Sequence, residues 1–244
     1  MTVPDYPTSS ELLEAAELSP KVVQERGLEA DDLYKIYADH LIRRDHLEAI
    51  ANDLGQQVGG VGPVHSVRWR VKGPLRLVRK VVRKAGGKRP RVITSDTYRR
   101  QITDLIGVRA LHLYKEEWET VHEFIMREYD HFEQPTAYIR EGDPKQWTES
   151  YKEKECTVKI HPRTYRSVHY VVRTGSADTV LAEIQVRTLL EEAWSEVDHR
   201  INYPEPTDHR DVQVILRIFN RLAGGADEVA SFANGLELAL RRSD

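Results

Sequence analysis

The stretch Leu181-Ala182-Glu183-Ile184-Gln185-Val186-Arg187-Thr188 alternates apolar and polar side chains with a period of two. In a β-strand, Ala182, Ile184 and Val186 share one face and Glu183, Gln185 and Arg187 the other. Taken alone, such a strand reads as an ordinary solvated sheet face. A second stretch with the same logic changes the weighting. In Val67-Arg68-Trp69-Arg70-Val71-Lys72 three cations share one face of a short strand, and Gly73-Pro74 then ends it and opens a helix. One strand offers a carboxylate and the other offers cations. That pairing suits a phosphorylated substrate carrying a metal ion.

Outward from these two stretches the pattern is mixed. Strands are expected over residues 64–71, 106–114, 156–161, 168–174 and 179–187, with a turn at Gly175-Ser176 before the last. Leu33, Ile36, Tyr37, Leu41, Leu47, Ile50 and Leu54 recur at helical spacing over 31–54, and Gly59-Gly60-Val61-Gly62-Pro63 closes that region. A helix over 74–85 is expected to bury Leu75, Val78 and Val82 and to leave Arg76, Lys80, Arg83 and Lys84 exposed, with Lys80 and Arg83 as neighbours three apart. Another helix is expected over 117–129. Residues 134–155 show weak periodicity and many charges, which reads as a loop or irregular insertion. Five strands interleaved with helices predict a mixed α/β sheet.

The C-terminal residues Val212, Ile215, Phe219, Leu222, Ala226, Val229, Ala233, Leu236 and Leu240 are spaced alternately three and four apart. Heptad spacing of this kind builds an oligomer seam. Packing back onto the chain's own core is the favoured expectation, because Gly224-Gly225 weakens the helix midway.

Hydrophobic content of 40% beside 31% charged residues fits a globular protein, and no apolar run approaches the ~20 residues of a membrane span. The first residues lack the basic and apolar regions of a secretory signal, and the single Cys156 forms no internal disulfide, so the cytoplasm is expected. Residues 66–109 hold fourteen Lys or Arg against only Asp96 and Asp104. Such a segment recruits polyanions, whether nucleotides or RNA.

Asp104, at the mouth of an apolar strand, reads either as a turn cap or, with Glu183, as a ligand for Mg²⁺, which takes hard oxygen donors and keeps substrate phosphates in its shell. Tyr165 lies beside cations just before a strand. It is either a half-buried packing residue or a platform for a nucleobase. His169 binds a phosphate, orients a neighbour or sits satisfied in the core. The ten His and one Cys show no zinc spacing, and neither a Walker loop nor a Rossmann fingerprint occurs. Phosphate binding therefore falls to side-chain cations, which the basic segment 66–109 can supply; within it, residues 86–91 read as a mobile basic loop.

Taken in order, Arg70-Val71-Lys72, Asp104-Leu105-Ile106-Gly107-Val108-Arg109, Tyr165-Arg166-Ser167-Val168-His169, Glu183-Ile184-Gln185-Val186-Arg187-Thr188, Ala193-Trp194-Ser195-Glu196-Val197-Asp198-His199 and Asn202-Tyr203 resemble the synthetase domain of RelA/SpoT-type alarmone synthetases, especially the small single-domain forms. The resemblance implies a nucleotidyltransferase-like mixed sheet over 61–204, a helical N-terminal region over 1–60 and a helical extension over 205–244 packed on the same core, without a hydrolase domain. It also implies transfer of the β,γ-pyrophosphate of ATP to the ribose 3′-hydroxyl of GDP or GTP, making (p)ppGpp.

By the same resemblance, Arg70 and Arg109 sandwich the adenine, and Lys72, Lys80 and Arg83 hold the ATP phosphates. Asp104 binds Mg²⁺, with Glu183 as general base and a partner in the metal site. Tyr165 stacks on the acceptor base, supported by His169, Gln185 and Arg187. One departure stands out: Arg163-Thr164 replaces the small, Gly-containing turn that guanosine-using members carry before the tyrosine. Some small members are toxins that pyrophosphorylate the 3′ end of tRNA and are paired with an antitoxin, and the basic loop 88–100 suits an RNA backbone. A non-enzymatic RNA-binding module is the third reading.

Overall fold

The computed structural model describes residues 6, 8–87, 91–161, 163–174, 179–202 and 207–242. Four helices open the chain: α1 (Ser9–Ala15), α2 (Pro20–Glu25), α3 (Ala30–Ile42) and α4 (Arg44–Gly59). Strand β1 (Val64–Val71), helices α5 (Pro74–Ala85) and α6 (Tyr98–Gln101), and strand β2 (Ile106–His112) follow. Next come α7 (Trp118–Glu128), β3 (Asp130–His131), β4 (Thr136–Ile139), α8 (Lys145–Glu153) and β5 (Thr157–Ile160). The chain closes with β6 (Ser167–Thr174), β7 (Val180–Thr188), α9 (Leu189–Asn202) and α10 (Arg210–Arg241).

The seven strands form one sheet in the order β1-β2-β7-β6-β4-β5, with β3 paired to β6. It is a mixed sheet: β4 runs parallel to β5, matching Thr136 with Thr157, and antiparallel to β6, matching Thr136 with His169. Two strands exceed the five expected. Residues 134–155, expected to be irregular, hold β4 and α8. Strand β4 has only four residues and α8 is short and rich in charge, so neither leaves a strong periodic trace. The turn expected at Gly175-Ser176, the core of the 86–91 loop and Tyr203 lie outside the described residues.

The chain divides into two compact units that interleave in sequence and cut across the three segments 1–60, 61–204 and 205–244. The first takes the chain up to Leu54, Trp69–Val108 and Val171–Glu183, and the second Gly55–Arg68, Arg109–Tyr170 and Ile184 onward. In the first unit α5 begins with Pro74 at a position where its missing N–H costs nothing, and buries Leu77, Val78, Val81, Val82 and Ala85. Its core also includes Leu33, Ile36 and Tyr37 of α3 and Leu12 and Leu13 of α1. Burying one such aliphatic side chain is worth about 1.5–3 kcal/mol, so this stripe fixes how α5 presents its opposite face. Leu75 is only half-buried, and Lys80 and Lys84, expected to be exposed, are half-buried as well. Each has a partner near its head group, which lets its stem lie along the helix.

In the second unit Trp118 and Tyr151 pack with ring centroids 4.6 Å apart, and His122 Nδ1 is 3.0 Å from the Tyr170 hydroxyl. Helix α10 runs unbroken through Gly224-Gly225, against the expected midway weakening. The close approach of Arg166 accounts for Gly224: a Cβ there would lie 2.4 Å from Nη1. No helix among the described residues is long and apolar enough to cross a membrane.

Candidate active site

The cations of the first unit converge on one carboxylate. Strand β1 ends at Val71, and the next backbone amide, that of Lys72, donates to the Leu105 carbonyl at 2.8 Å, fixing the Lys72 side chain beside the entry to β2. Lys72 Nζ lies 2.7 Å from Asp104 Oδ2 and Lys80 Nζ 2.6 Å from Asp104 Oδ1. Burial would raise the Asp104 carboxyl, but the two ammonium groups outweigh it and hold the carboxyl below its usual range. Burial lowers the Lys72 ammonium, aided by Lys80 and Arg70 and opposed by Asp104. Behind Lys72, buried His40 donates from Nε2 to the Lys72 carbonyl at 2.6 Å, and burial lowers its pKa, which keeps the ring neutral.

Arg70 is exposed and lies across Gly107 of β2, where a Cβ would sit 3.8 Å from its Cγ and Nε. Arg83 is exposed on α5, three residues from Lys80. Glu183 is half-buried on β7, the neighbour of β2 in the sheet.

The second unit gathers the remaining candidates. Tyr165 sits among three other rings: His161 at a centroid distance of 3.6 Å, Tyr138 at 5.9 Å, and His169, nearly parallel, at 6.1 Å. Burial, reinforced by His169, Arg163 and Arg187, lowers His161 to about 4, so it is neutral at pH 7. The Arg187 guanidinium lies 5.7 Å from the Tyr165 ring centroid. Arg187 keeps the polar-face position its alternation gives it, yet it is only 5% exposed. It donates to Ser195 Oγ at 3.0 Å and to the Gln185 side chain, and lies 3.3 Å from Glu192 Oε2. Arg109 Nη1 donates to Glu192 at 2.9 Å and to Glu196 at 2.5 Å. Burial works against its charge, and the two carboxylates more than offset that.

The turn before Tyr165 keeps a glycine-like backbone without a glycine: Thr164 has φ +59°. Two bonds hold it, from the Thr164 amide to the His161 carbonyl at 2.9 Å and from Asn220 Nδ2 to the Thr164 carbonyl at 3.1 Å. Arg166 anchors the next residue through a two-pronged contact with Asp143, both bonds 2.8 Å, and its amide donates to Glu191 at 3.0 Å. A cleft of 360 Å³ opens beside the turn, lined by Arg163, Thr164, Trp194, Asp198, Asn202 and Arg217.

Several participants were not anticipated from sequence. Glu192 and Glu196 are spaced i, i+4 on α9, a pattern that marks one helix face and could have flagged a cation partner. His40, Tyr138, His161 and Asp143 carry no comparable signal.

The region from 69 to 208 matches the family model described as a region found in RelA / SpoT proteins. The chain belongs to the RelA/SpoT family. Among curated relatives, the GTP pyrophosphokinase YwaC of Bacillus subtilis (strain 168) is 25% identical over 176 residues, covering 70% of this chain and 72% of the relative. Among solved structures, small alarmone synthetase 1 from Bacillus subtilis superimposes with a TM-score of 0.60 at 20% identity, covering 82% of this chain and 96% of the other. The same enzyme bound to its product pppGpp gives a TM-score of 0.56 at 21% identity, covering 78% and 93%. This RelA/SpoT member therefore has the fold of the small alarmone synthetases, with the seven-stranded mixed sheet described above.

Proposed function

We propose that this protein is a cytoplasmic, ATP-dependent pyrophosphotransferase that moves the β,γ-pyrophosphate of ATP to the 3′-hydroxyl of GDP or GTP, making (p)ppGpp. The observation that carries this reading is the convergence of Lys72 and Lys80 on Asp104. Two ammonium groups balanced by one carboxylate form a site ready to exchange partners, since a triphosphate chain takes the lysines and a divalent cation takes the aspartate. The names of relatives point the same way: YwaC is a GTP pyrophosphokinase, and small alarmone synthetase 1 binds pppGpp as product.

The donor set fits Mg²⁺. Among the described residues no cluster of three or more His, Cys, Asp or Glu forms a closed metal cage. One or two carboxylates plus substrate phosphates is the usual Mg²⁺ arrangement, and Asp104 and Glu183 would supply them. When bound, the ion would offset charge on the transferring phosphoryl oxygens.

In the reaction the acceptor 3′-oxygen bonds to the β-phosphorus of ATP, the bond from that phosphorus to the α–β bridging oxygen breaks, and AMP leaves. Glu183 takes the hydroxyl proton, a contribution of about 10²–10⁴-fold. Lys72, Lys80 and Arg83 hold the phosphates, and Arg70 and Arg109 flank the adenine. The ion pairs of Arg109 with Glu192 and Glu196, which orient its guanidinium, support that reading. Tyr165 stacks on the acceptor base. Gln185 and His169 support the acceptor side, and Arg187, buried beside Tyr165, positions it.

A second reading is favoured by one observation. Arg163 is half-exposed and lines the cleft beside the Tyr165 turn together with Arg217, so cations continue beyond the expected base site. A larger anionic acceptor such as a tRNA 3′ end, with an antitoxin as partner, would use them. The experiment is incubation with labelled ATP and GDP, GTP or deacylated tRNA. Label is expected on the guanosine nucleotide. Label only on tRNA selects the second reading, and no transfer to any acceptor refutes both.

A further inference from the structure

One polar side chain lies on the apolar face of α3. Leu33, Ile36, Tyr37 and Leu41 mark that face by their spacing, and His40 falls among them, 1% exposed. A buried imidazole needs a partner for its N–H, and here the partner comes from outside the helix. Nε2 lies 2.6 Å from the backbone carbonyl of Lys72. A carbonyl only accepts, so the proton of the neutral ring sits on Nε2, and Nδ1, which has no hydrogen-bond partner, keeps its lone pair.

The carbonyl has the converse need. Lys72 is one residue past the end of β1, and Gly73, extended at ψ 141°, starts α5 with its own carbonyl, which accepts from the Leu77 amide at 2.9 Å. The Lys72 carbonyl therefore lies between the ladder and the helix, where neither continues. His40 supplies the donor at that gap.

The ring is itself held in place. It stands edge-on to Tyr98, with centroids 6.3 Å apart and planes at 80°. The Tyr98 hydroxyl donates to Asp39 Oδ2 at 2.8 Å, and Arg43 Nε donates to the same carboxylate. Consecutive residues of α3, Asp39 and His40, thus tie this helix to both ends of the segment 72–98, which carries Lys72, Lys80 and Arg83. From His40 the bonds run on without a break: its N–H to the Lys72 carbonyl, the Lys72 amide to the Leu105 carbonyl, and the Lys72 ammonium to Asp104.

We infer that His40 is a positioning residue for the phosphate site: its N–H sets the peptide of Lys72, and with it the direction in which the Lys72 ammonium meets the phosphates of ATP. The inference rests on the role proposed above for Lys72. It makes the helical region before the family-matched residues 69–208 a working part of the site. Geometry of this kind matters, because a shift of about 1 Å in a positioning group can cost ~10²-fold.

The test is calorimetric titration of the full chain with ATP and Mg²⁺, without acceptor, up to millimolar ATP. The proteins are wild type, His40→Gln, His40→Asn, His40→Leu, Lys72→Met and the His40→Leu/Lys72→Met double variant, each shown by urea unfolding to be folded under assay conditions. The Gln carboxamide carries its N–H to where Nε2 sits, and that of Asn reaches only as far as Nδ1. The dissociation constant is expected to stay within ~3-fold of wild type for His40→Gln and to rise ~10-fold or more for His40→Asn and His40→Leu. Lys72→Met is expected to weaken binding at least as much, and adding His40→Leu to it should change the constant by less than ~2-fold, since no ammonium is left to direct. A merely structural histidine would weaken binding equally in both backgrounds. Should His40→Leu fail to fold, the contrast between Gln and Asn decides. Wild-type affinity in Lys72→Met would refute the phosphate role of Lys72 and the inference with it. Weak binding by Lys72→Met, together with full binding by His40→Asn and His40→Leu or an undiminished further loss in the double variant, would overturn the inference alone.

Discussion

Lys80 Nζ sits 2.6 Å from Oδ1 of Asp104, on the side opposite the oxygen held by Lys72. Replacing Asp104 by Asn leaves two half-buried ammonium groups facing each other without a counter-charge. Stability at pH 7 is expected to fall by about 1–3 kcal/mol. Because the folded carboxyl is depressed, its contribution is complete above the unfolded value and is lost as pH falls through the folded one. The gap between wild type and variant in urea midpoints should therefore be wide at pH 7 and narrow on acidification toward pH 3. Turnover of ATP should drop at least ~10²-fold in the same variant.

Glu183→Gln removes the group assigned to take the acceptor proton and leaves the shape of β7 intact. AMP release from ATP is expected to be abolished while ATP binding, read by calorimetry, survives. Turnover near that of wild type would remove Glu183 from the mechanism.

Thr164 holds a left-handed backbone that costs a residue with a Cβ roughly 1–2 kcal/mol. Glycine relieves that strain and gives back part of the gain as unfolded-chain entropy. Thr164→Gly should therefore stabilise the protein by about 0.5–1 kcal/mol, seen as a higher urea midpoint at unchanged slope. A loss of stability would mean that contacts of the threonine side chain outweigh the strain.

Asp227 is 1% exposed on the inner face of α10, and burial raises its carboxyl to about 6 despite a bond from Thr188. The folded protein thus holds this proton more tightly than the unfolded one, and the group costs stability as pH rises from about 4 to about 6. The full cost above pH 6 is roughly 2–3 kcal/mol. Asp227→Asn mimics the protonated acid without titrating. Relative to wild type, the variant should gain stability between pH 4.5 and pH 7.5 by that amount, as measured by denaturant unfolding at both values.

How much of this was legible in the sequence depends on the range of the forces involved. Helix α5 and strands β1 and β7 were readable because their periodicity is local and their ends carry proline or glycine punctuation. Asp104 and Lys72 stood out for the same reason, as charges within apolar patterns. Arg187 shares the polar face of its strand, yet only a carboxylate five residues on, carried by α9, explains why that face is buried there. The aromatic group around Tyr165 draws Tyr138 and His161 from separate segments, with no shared spacing to reveal it. Helix α10 shows the limit most directly. Its repeat was visible, but a repeat does not say whether the apolar side meets the same chain or faces away, and here the polar side turns inward.

Strand β7 has a consequence for how this family can vary. Glu183, Gln185 and Arg187 fall on one side only while the count of residues between them stays even. Deleting a single residue at position 184 would send Glu183 and the pair Gln185 and Arg187 to opposite surfaces of the sheet. Length changes can accumulate in the connections on either side of this strand, but within it only substitutions keep these three side chains on one face.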